Sequence, residues 1–386
     1  MKCKVCSSET ITYNLGKSPL AGYICDYLDE SLMQPKFQLE LLFCKECRLL
    51  YYKEIKEADI YLNKLYSNHL STFHRDSEFE SYLNSFVEKV CERKNINSIH
   101  NILEIGCNDG YILNLFRNKK PDINLYGVEP SLQFENIWSE RCINIYNDYF
   151  NTSASDYFKN LKFDVIYFRH VFEHIFDPLR FFKNIVKLSD ANTLIVIEVP
   201  YLKSIINNKR IDNLGYSHSN YFTITAINSI INICGFDIID YEEVNTDGGS
   251  IVVYIKKENN SFSKNPNDNI SAEAISGFIG HINILKKRYT DALCRFSKDE
   301  LVGYGAGAKG QHLIHILGLE DIIDKVFDDT PEYNNKFIPG TKIQIFRPLK
   351  SSWDKIRTVI NLVPTHHKVI KQKIPSNIEF IDFINE

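Results

Sequence analysis

A chain of 386 residues, 44% hydrophobic and 24% charged, is long enough for two or three domains with real cores and has the balance of an ordinary soluble protein. A formal net charge of −4 draws the whole chain to neither nucleic acid nor an acidic membrane surface, and the start, MKCKVCSSET, lacks the apolar core of a signal peptide. No stretch is long and apolar enough to span a bilayer, NTLIVIEVPYL being too short, so a cytoplasmic protein is expected, its ten cysteines serving as reduced thiols or metal ligands.

Cys3-Lys-Val-Cys6 is followed by Cys44-Lys-Glu-Cys47. A two-residue gap lets both thiolates of a tight turn face one ion, and two such turns complete a tetrahedral four-sulfur site suited to zinc. All four positions come from protein, so this zinc is structural and residues 1–65 form a small zinc-binding module. The interval between the pairs is longer than in a usual zinc ribbon, and four unconnected cysteines are the alternative. Cys25 stays unassigned. No basic-aromatic cluster points this region toward nucleic acid.

A helical approach, SEFESYLNSFVEKVCERK, leads to NILEIGCNDGYILNLFRN. This reads as a buried strand, Ile102–Ile105, containing Glu104, then a glycine turn and a helix. Gly106 and Gly110, with Asn108 between them, permit a ligand to approach the backbone at the helix N-terminus. A second strand, NLYGVEPS, ends in Glu129 and Pro130. An acid there accepts hydrogen bonds from the vicinal hydroxyls of a ribose. The pattern G-x-x-x-G is not G-x-G-x-x-G, so a ribose without a pyrophosphate fits best: S-adenosylmethionine. A plain α/β crossover with a glycine turn is the alternative.

A third strand in INIYNDYF is followed by Asp148, Tyr149 and Phe150, an acid and aromatics suited to an adenine amino group and ring. FDVIYFRHVFEHIFDPLRFFKNIV supplies a fourth strand and a helix, with His170, Glu173 and His174 near the junction. The spacing of His170 and His174 would suit a metal pair on one helical face, but the motif is not H-E-x-x-H. A fifth strand, NTLIVIEVPY, leads to NLGYSHSNYFT, where His218 sits among Tyr216, Ser217, Ser219 and Tyr221. Strands alternating with helices call for a doubly wound, mostly parallel sheet over residues 66–256, whose ligands bind beyond the carboxyl ends of the strands. Glu104, Glu129, Asp148 and His174 fall there, which places His218 in the same cleft. A histidine merely satisfied by hydroxyl neighbours is the other reading.

Residues 257–386 begin with a polar linker in KKENNSFSKNPNDNISAE and a helix near AISGFIGHINILKKRYTDALCRF. ELVGYGAGAKGQHLIHILGL then repeats strand, glycine turn and helix, with Gly303, Gly305, Gly307 and Gly310 around Lys309. Backbone amides and one lysine suit a phosphate or diphosphate, whereas a packed glycine turn with a solvated lysine is the plainer reading. IDKVFDDTPEYNNKFIPGTKI adds a strand ending in Asp328 and Asp329. A smaller Rossmann-like α/β domain results, with Tyr304, Gly305, Lys309 and Asp328 as candidate substrate-binding residues.

In this order the pieces resemble the sugar C-methyltransferases that act on nucleotide-linked 4-keto-deoxysugars, the tetronitrose and mycarose branching enzymes among them. The resemblance covers nearly the whole chain and rests on CKVC with FCKEC, LGKSPLAG, ILEIGCNDGYIL, GVEPS, RHVFEHI-DP, IEVPY, DGGS, GYGAGAKG and DDTPEYNNKFIPGTKI. It implies a zinc module, a central class I S-adenosylmethionine domain and a C-terminal domain, with a nucleotide-linked sugar between the last two.

Carbon 3 of a 4-keto sugar is acidic because the ketone takes up the charge, so a base and a donor at the enolate oxygen are needed. By the resemblance, His218 matches the base and His174 the second histidine, with Tyr216 assisting and Tyr66 matching an upstream tyrosine. The family's Tyr-x-Glu-His run is Gly215-Tyr216-Ser217-His218 here, so the glutamate beside the base is replaced by Ser217. Its His-Gly-Gly is Asp247-Gly248-Gly249, and a following arginine is Val252. Asp247 is a substitute carboxylate. These changes leave O- or N-methylation of a nucleotide sugar, or a catalytically silent scaffold, as alternatives. A monomer or weak dimer is expected.

Overall fold

The computed structural model describes residues 1–58, 60–62, 77–246, 248–257 and 268–385. Tyr66 and Asp247 lie outside the described residues, as do residues 258–267 of the stretch read as a linker.

The first strands are β1 (Thr10–Ser18), β2 (Phe37–Cys44) and β3 (Leu50–Tyr52), an antiparallel meander. Then come β4 (Asn101–Ile105), β5 (Asn124–Val128), β6 (Asn144–Tyr146), β7 (Val165–Arg169) and β8 (Leu194–Pro200). These five pair in parallel in the order β6-β5-β4-β7-β8. Parallel strands need crossovers, and the helices Tyr111–Lys119 and Pro178–Lys187 are two of them. Side chains alternate between two cores: Leu103, Ile166 and Ile195 pack on one face, Ile102, Val165 and Leu194 on the other. Burial on both faces is why these strands read as continuous apolar runs.

The structure adds what the strand-by-strand reading did not include. After β9 (Asn220–Tyr221), the strands β10 (Phe236–Val244) and β11 (Ser250–Lys257) form an antiparallel hairpin that extends the sheet beyond β8. The full order is β10-β11-β8-β7-β4-β5-β6. β9 leaves this sheet and pairs with β3, Leu50 opposite Tyr221 and Tyr51 opposite Asn220. The N-terminal meander therefore takes in the residues that directly follow His218.

The C-terminal strands β12 (Leu301–Tyr304), β13 (Lys325–Phe327), β14 (Gln344–Phe346), β15 (Thr358–Asn361) and β16 (Glu379–Ile381) are all parallel, in the order β14-β13-β12-β15-β16. The order reverses between β12 and β15, the place where such sheets open a crevice. The N-terminal segment reaches this lobe too. Gly22 donates its amide to Gln311 Oε1 at 2.8 Å, and buried Cys25 exchanges backbone hydrogen bonds with Phe337. No helix among the described residues is long and apolar enough to cross a membrane.

Candidate active site

The four sulfurs of Cys3, Cys6, Cys44 and Cys47 lie within 4.8 Å of one another, Cys3 to Cys47 at 3.6 Å and Cys6 to Cys44 at 3.4 Å. Tetrahedral zinc–thiolate bonds of about 2.3 Å separate sulfurs by about 3.8 Å, so the donor set fits a closed zinc site. The two turns are built alike. Ser7 and Arg48, each just after the second cysteine of its pair, both have φ of 61°. Their amides return to the carbonyls of Cys3 and Cys44 at 3.0 and 2.9 Å. Between the first pair, Lys4 Nζ donates to the Phe176 carbonyl at 2.7 Å. The cluster thus touches the loop that follows β7.

At the carboxyl edge of the central sheet, β4 ends in the glycine turn. Gly106 has φ of 73° and Gly110 of 71°. A Cβ at Gly106 would lie 2.5 Å from Val171 Cγ2, and one at Gly110 2.2 Å from Ile143 Cδ1. Glycine is thus required by the backbone conformation and by packing against the protein itself, not only by a ligand's approach. Asn108 also has positive φ, 51°; its amide donates to Glu129 Oε2 at 3.0 Å. Glu129 Oε1 accepts from the Ser131 amide at 3.0 Å, with Pro130 between them. Burial pushes the Glu129 carboxyl up, opposed by these two amides. Each oxygen keeps a further lone-pair direction, which is what a ribose diol requires. Asp148 and Tyr149 stand exposed beyond β6, the Asp148 carboxylate accepting from the Tyr149 amide at 2.7 Å. Glu104 is different: it is buried beneath the turn, accepts from the Tyr167 hydroxyl at 2.9 Å, and burial pushes it up to about 8.

The histidines lie next to this edge. His170 and His174 do not share a helical face. His170 directly follows β7 in a left-handed conformation, φ 51°, and a 3-10 turn, Phe172–His174, comes next. His174 instead meets His218, with ring centroids 5.0 Å apart and planes at 70°. His174 Nδ1 donates to the Ser217 carbonyl at 2.7 Å. Glu173, 1% exposed, has a carboxylate oxygen within 4.8 Å of ring nitrogens of both histidines. His170 Nδ1 lies 3.4 Å from Glu173 Oε1 and its Nε2 3.3 Å from Glu198 Oε1, while Arg169 pairs with Glu198 Oε2. Burial pulls His170 down, but the two carboxylates outweigh it and hold it up at about 10.

The loop carrying His218 rests on the N-terminal sheet. The Tyr52 hydroxyl donates to the Leu214 carbonyl at 2.5 Å, and the Tyr216 hydroxyl accepts the Ile55 amide at 2.8 Å. Tyr216 is buried, its ring 5.2 Å from that of Tyr52.

In the C-terminal lobe, Asp328 repeats the arrangement of Glu129. Its Oδ2 accepts from the Ala306 amide at 2.7 Å and its Oδ1 from the Thr330 amide at 2.9 Å. Gly305, φ 108°, forms the turn; a Cβ there would lie 2.0 Å from Val363 Cγ2. Lys309 is the second residue of the helix Ala308–Leu317. Tyr304 points elsewhere. Its hydroxyl donates to Asp329, and it lines a cavity of about 450 Å³ with Asp329, Leu349, Trp353 and Lys373. Trp353 and Lys373 carried no signal in the sequence, since neither lies in a recognisable motif.

The chain matches the model of a methyltransferase domain over residues 73–241 and that of a C-methyltransferase C-terminal domain over residues 245–379. The C-methyltransferase NovU of Streptomyces niveus is 23% identical over 365 residues, 90% of this chain and 86% of that one. Among solved structures, Burkholderia thailandensis 1,6-didemethyltoxoflavin-N1-methyltransferase is 12% identical with a TM-score of 0.40, covering 57% of this chain and 96% of its own. Magnesium protoporphyrin IX methyltransferase of Synechocystis PCC 6803 is 12% identical with a TM-score of 0.35, covering 46% and 79%.

Proposed function

We infer that this chain, which belongs to the S-adenosylmethionine-dependent C-methyltransferases and has their class I fold, methylates carbon 3 of a nucleotide-linked 4-keto-deoxysugar. The observation that carries the reading is the meeting of His174 and His218, from two separate loops, beside the buried Glu173 carboxylate. Methylation at carbon needs a proton taken from carbon and shelter for the resulting charge. An oxygen or nitrogen acceptor needs no such enolate shelter.

When bound, S-adenosylmethionine supplies an electrophilic methyl group. Glu129 would take its ribose hydroxyls, with Gly106, Asn108, Gly110 and Pro130 shaping the turn beside them and Asp148 and Tyr149 at the adenine end. Glu104, buried beneath the turn, supports it from behind. His218 removes the proton from carbon 3. The electrons of that C–H bond move toward the ketone, and His174 faces the charge that develops on its oxygen. Tyr216, tied to the Ile55 amide, holds the loop in place. The four cysteines hold a structural zinc ion. The carrier nucleotide would use the C-terminal lobe, its diphosphate at Gly305 and Lys309, a ribose at Asp328 and further contact at Tyr304.

The test is methyl transfer from labelled S-adenosylmethionine to a panel of nucleotide-linked 4-keto-6-deoxysugars, with the product position read by NMR. A new carbon–carbon bond at carbon 3 supports the reading. A methyl group on oxygen or nitrogen, or no transfer to any ketone, contradicts it.

A further inference from the structure

Ser217 precedes His218, so no carboxylate adjoins this imidazole in the sequence. One arrives from another element. Glu173 sits in the 3-10 turn after β7, 1% exposed, and neither of its carboxylate oxygens has a hydrogen-bond partner among the described residues. A buried carboxylate in that state is unfavourable unless cations compensate it. Three imidazoles surround it: His170 Nδ1 at 3.4 Å, with His174 and His218 inside the 4.8 Å cluster. Burial pushes the Glu173 carboxyl up, but these rings outweigh it and keep it below the ordinary range.

Behind Glu173 the charges are already balanced. Arg169 and protonated His170 face Glu173 and Glu198, two cations against two anions. The Thr246 hydroxyl also donates to Glu198 Oε1, at 3.0 Å. A proton arriving on His218 therefore enters a neutral group, with the Glu173 carboxylate within 4.8 Å of it.

We propose that Glu173 is the positioning carboxylate of His218, standing in from the loop after β7 for the acid that position 217 lacks. The role rests on His218 as the base of the proposed reaction. As the carbon 3 proton passes to a ring nitrogen of His218, the C–H electron pair stays with the substrate as its enolate. Glu173 remains a carboxylate throughout, orients the ring and steadies the imidazolium. Glu173, His174 and His218 are also a donor set for a divalent cation. One feature favours the charge-balanced network: His170 already compensates the carboxylate.

Among the described residues, titratable groups facing His218 include Glu173 and His174 from the turn after β7 and Tyr221 from β9, with His170 behind Glu173 and Tyr52 behind Tyr221. The test reads the ring signals of His218 by NMR on the zinc-loaded protein with S-adenosylhomocysteine, identifying them by their loss in His218→Ala. This needs no sugar substrate, so it is independent of the proposed reaction. In Glu173→Gln the pH midpoint of His218 should fall by about one unit relative to wild type, as expected for loss of a nearby opposite charge. S-adenosylhomocysteine affinity should stay within twofold. With an active sugar, kcat should fall at least tenfold with KM nearly unchanged, and Ser217→Glu in the Glu173→Gln background should restore part of it. An unmoved His218 midpoint in a variant that still binds S-adenosylhomocysteine overturns the proposal. So does a second divalent ion in the wild type, beyond the cysteine site, that Glu173→Gln loses. If Glu173→Gln does not fold, Glu173→Asp, which keeps the charge but withdraws it, should show a smaller fall; no fall there overturns the proposal equally.

Discussion

His174 Nδ1 donates to the Ser217 carbonyl at 2.7 Å, and this bond joins the loop after β7 to the loop that holds His218. A carbonyl only accepts, so Nδ1 carries a proton and Nε2 is the ring nitrogen left to face the substrate. Two more side chains join the same loops, donating in the opposite direction. Ser219 Oγ donates to the Glu173 carbonyl at 3.1 Å and Asn220 Nδ2 to the Ile175 carbonyl at 2.5 Å. From the other side β3 holds the loop through β9 and Tyr52. His174 comes from a single 3-10 turn and His218 from a loop, and these bonds fix the two rings.

The four-cysteine module is therefore expected to act on the candidate active site through its fold. Purified protein should contain close to one zinc per chain by metal analysis. Cys44→Ser should lose it, lower the melting temperature and speed amide exchange across residues 214–221. Metal-free wild type with unchanged stability and exchange would remove zinc from the account.

Tyr52→Phe isolates the link between module and loop. It deletes one buried hydrogen bond, to the Leu214 carbonyl, and leaves the ring in place. A loss of about 0.5–1.5 kcal/mol in stability is expected. Turnover should fall with S-adenosylmethionine affinity unaltered, measured by denaturant titration, kinetics and calorimetry on one preparation.

Glu129→Ala removes the carboxylate to which the proposed function gives the ribose hydroxyls. Calorimetry should show S-adenosylmethionine binding weakened by about 1.5–3 kcal/mol, the range for hydrogen bonds to a charged group. Unaltered affinity would mean that the cofactor's ribose lies elsewhere.

Glu104 predicts a pH dependence with a definite sign. Burial raises this carboxyl from 4.5 to about 8, against the Tyr167 hydroxyl. Between those values the folded chain holds more proton than the unfolded one. Its contribution to stability is therefore complete below about 4.5 and is lost as pH rises through about 8. Glu104→Gln, neutral at every pH, should flatten the decline in urea midpoint between about pH 5 and pH 8.5. An identical decline in the variant would assign it to other groups.

Much of this was legible in the sequence because it depends on local spacing. The two C-x-x-C turns, the turn Gly106–Gly110 and the acid Glu129 after the second strand each follow from contacts a few residues apart or from the regular βαβ repeat. What was not legible is long-range or conformational. β9 has two residues and no periodicity, and it is a strand only because Leu50 and Tyr51 lie opposite it. The first strand of the hairpin, β10, hides in FDIIDYEEV, whose charged residues mask its alternation. Glu173 stood in plain view within H-V-F-E-H. Its part depended on His170 turning left-handed, which redirects the chain so that Glu173 and His174, not His170, meet His218.

The most direct measurement is deuterium entry at carbon 3 of a nucleotide-linked 4-keto-6-deoxysugar in deuterated water. S-adenosylhomocysteine fills the cofactor site without donating, so exchange reports proton removal alone. The account predicts exchange with the wild type and its loss in His218→Ala, whose S-adenosylhomocysteine affinity stays nearly intact. Exchange that survives in His218→Ala, or none from a wild type that binds both ligands, would contradict it.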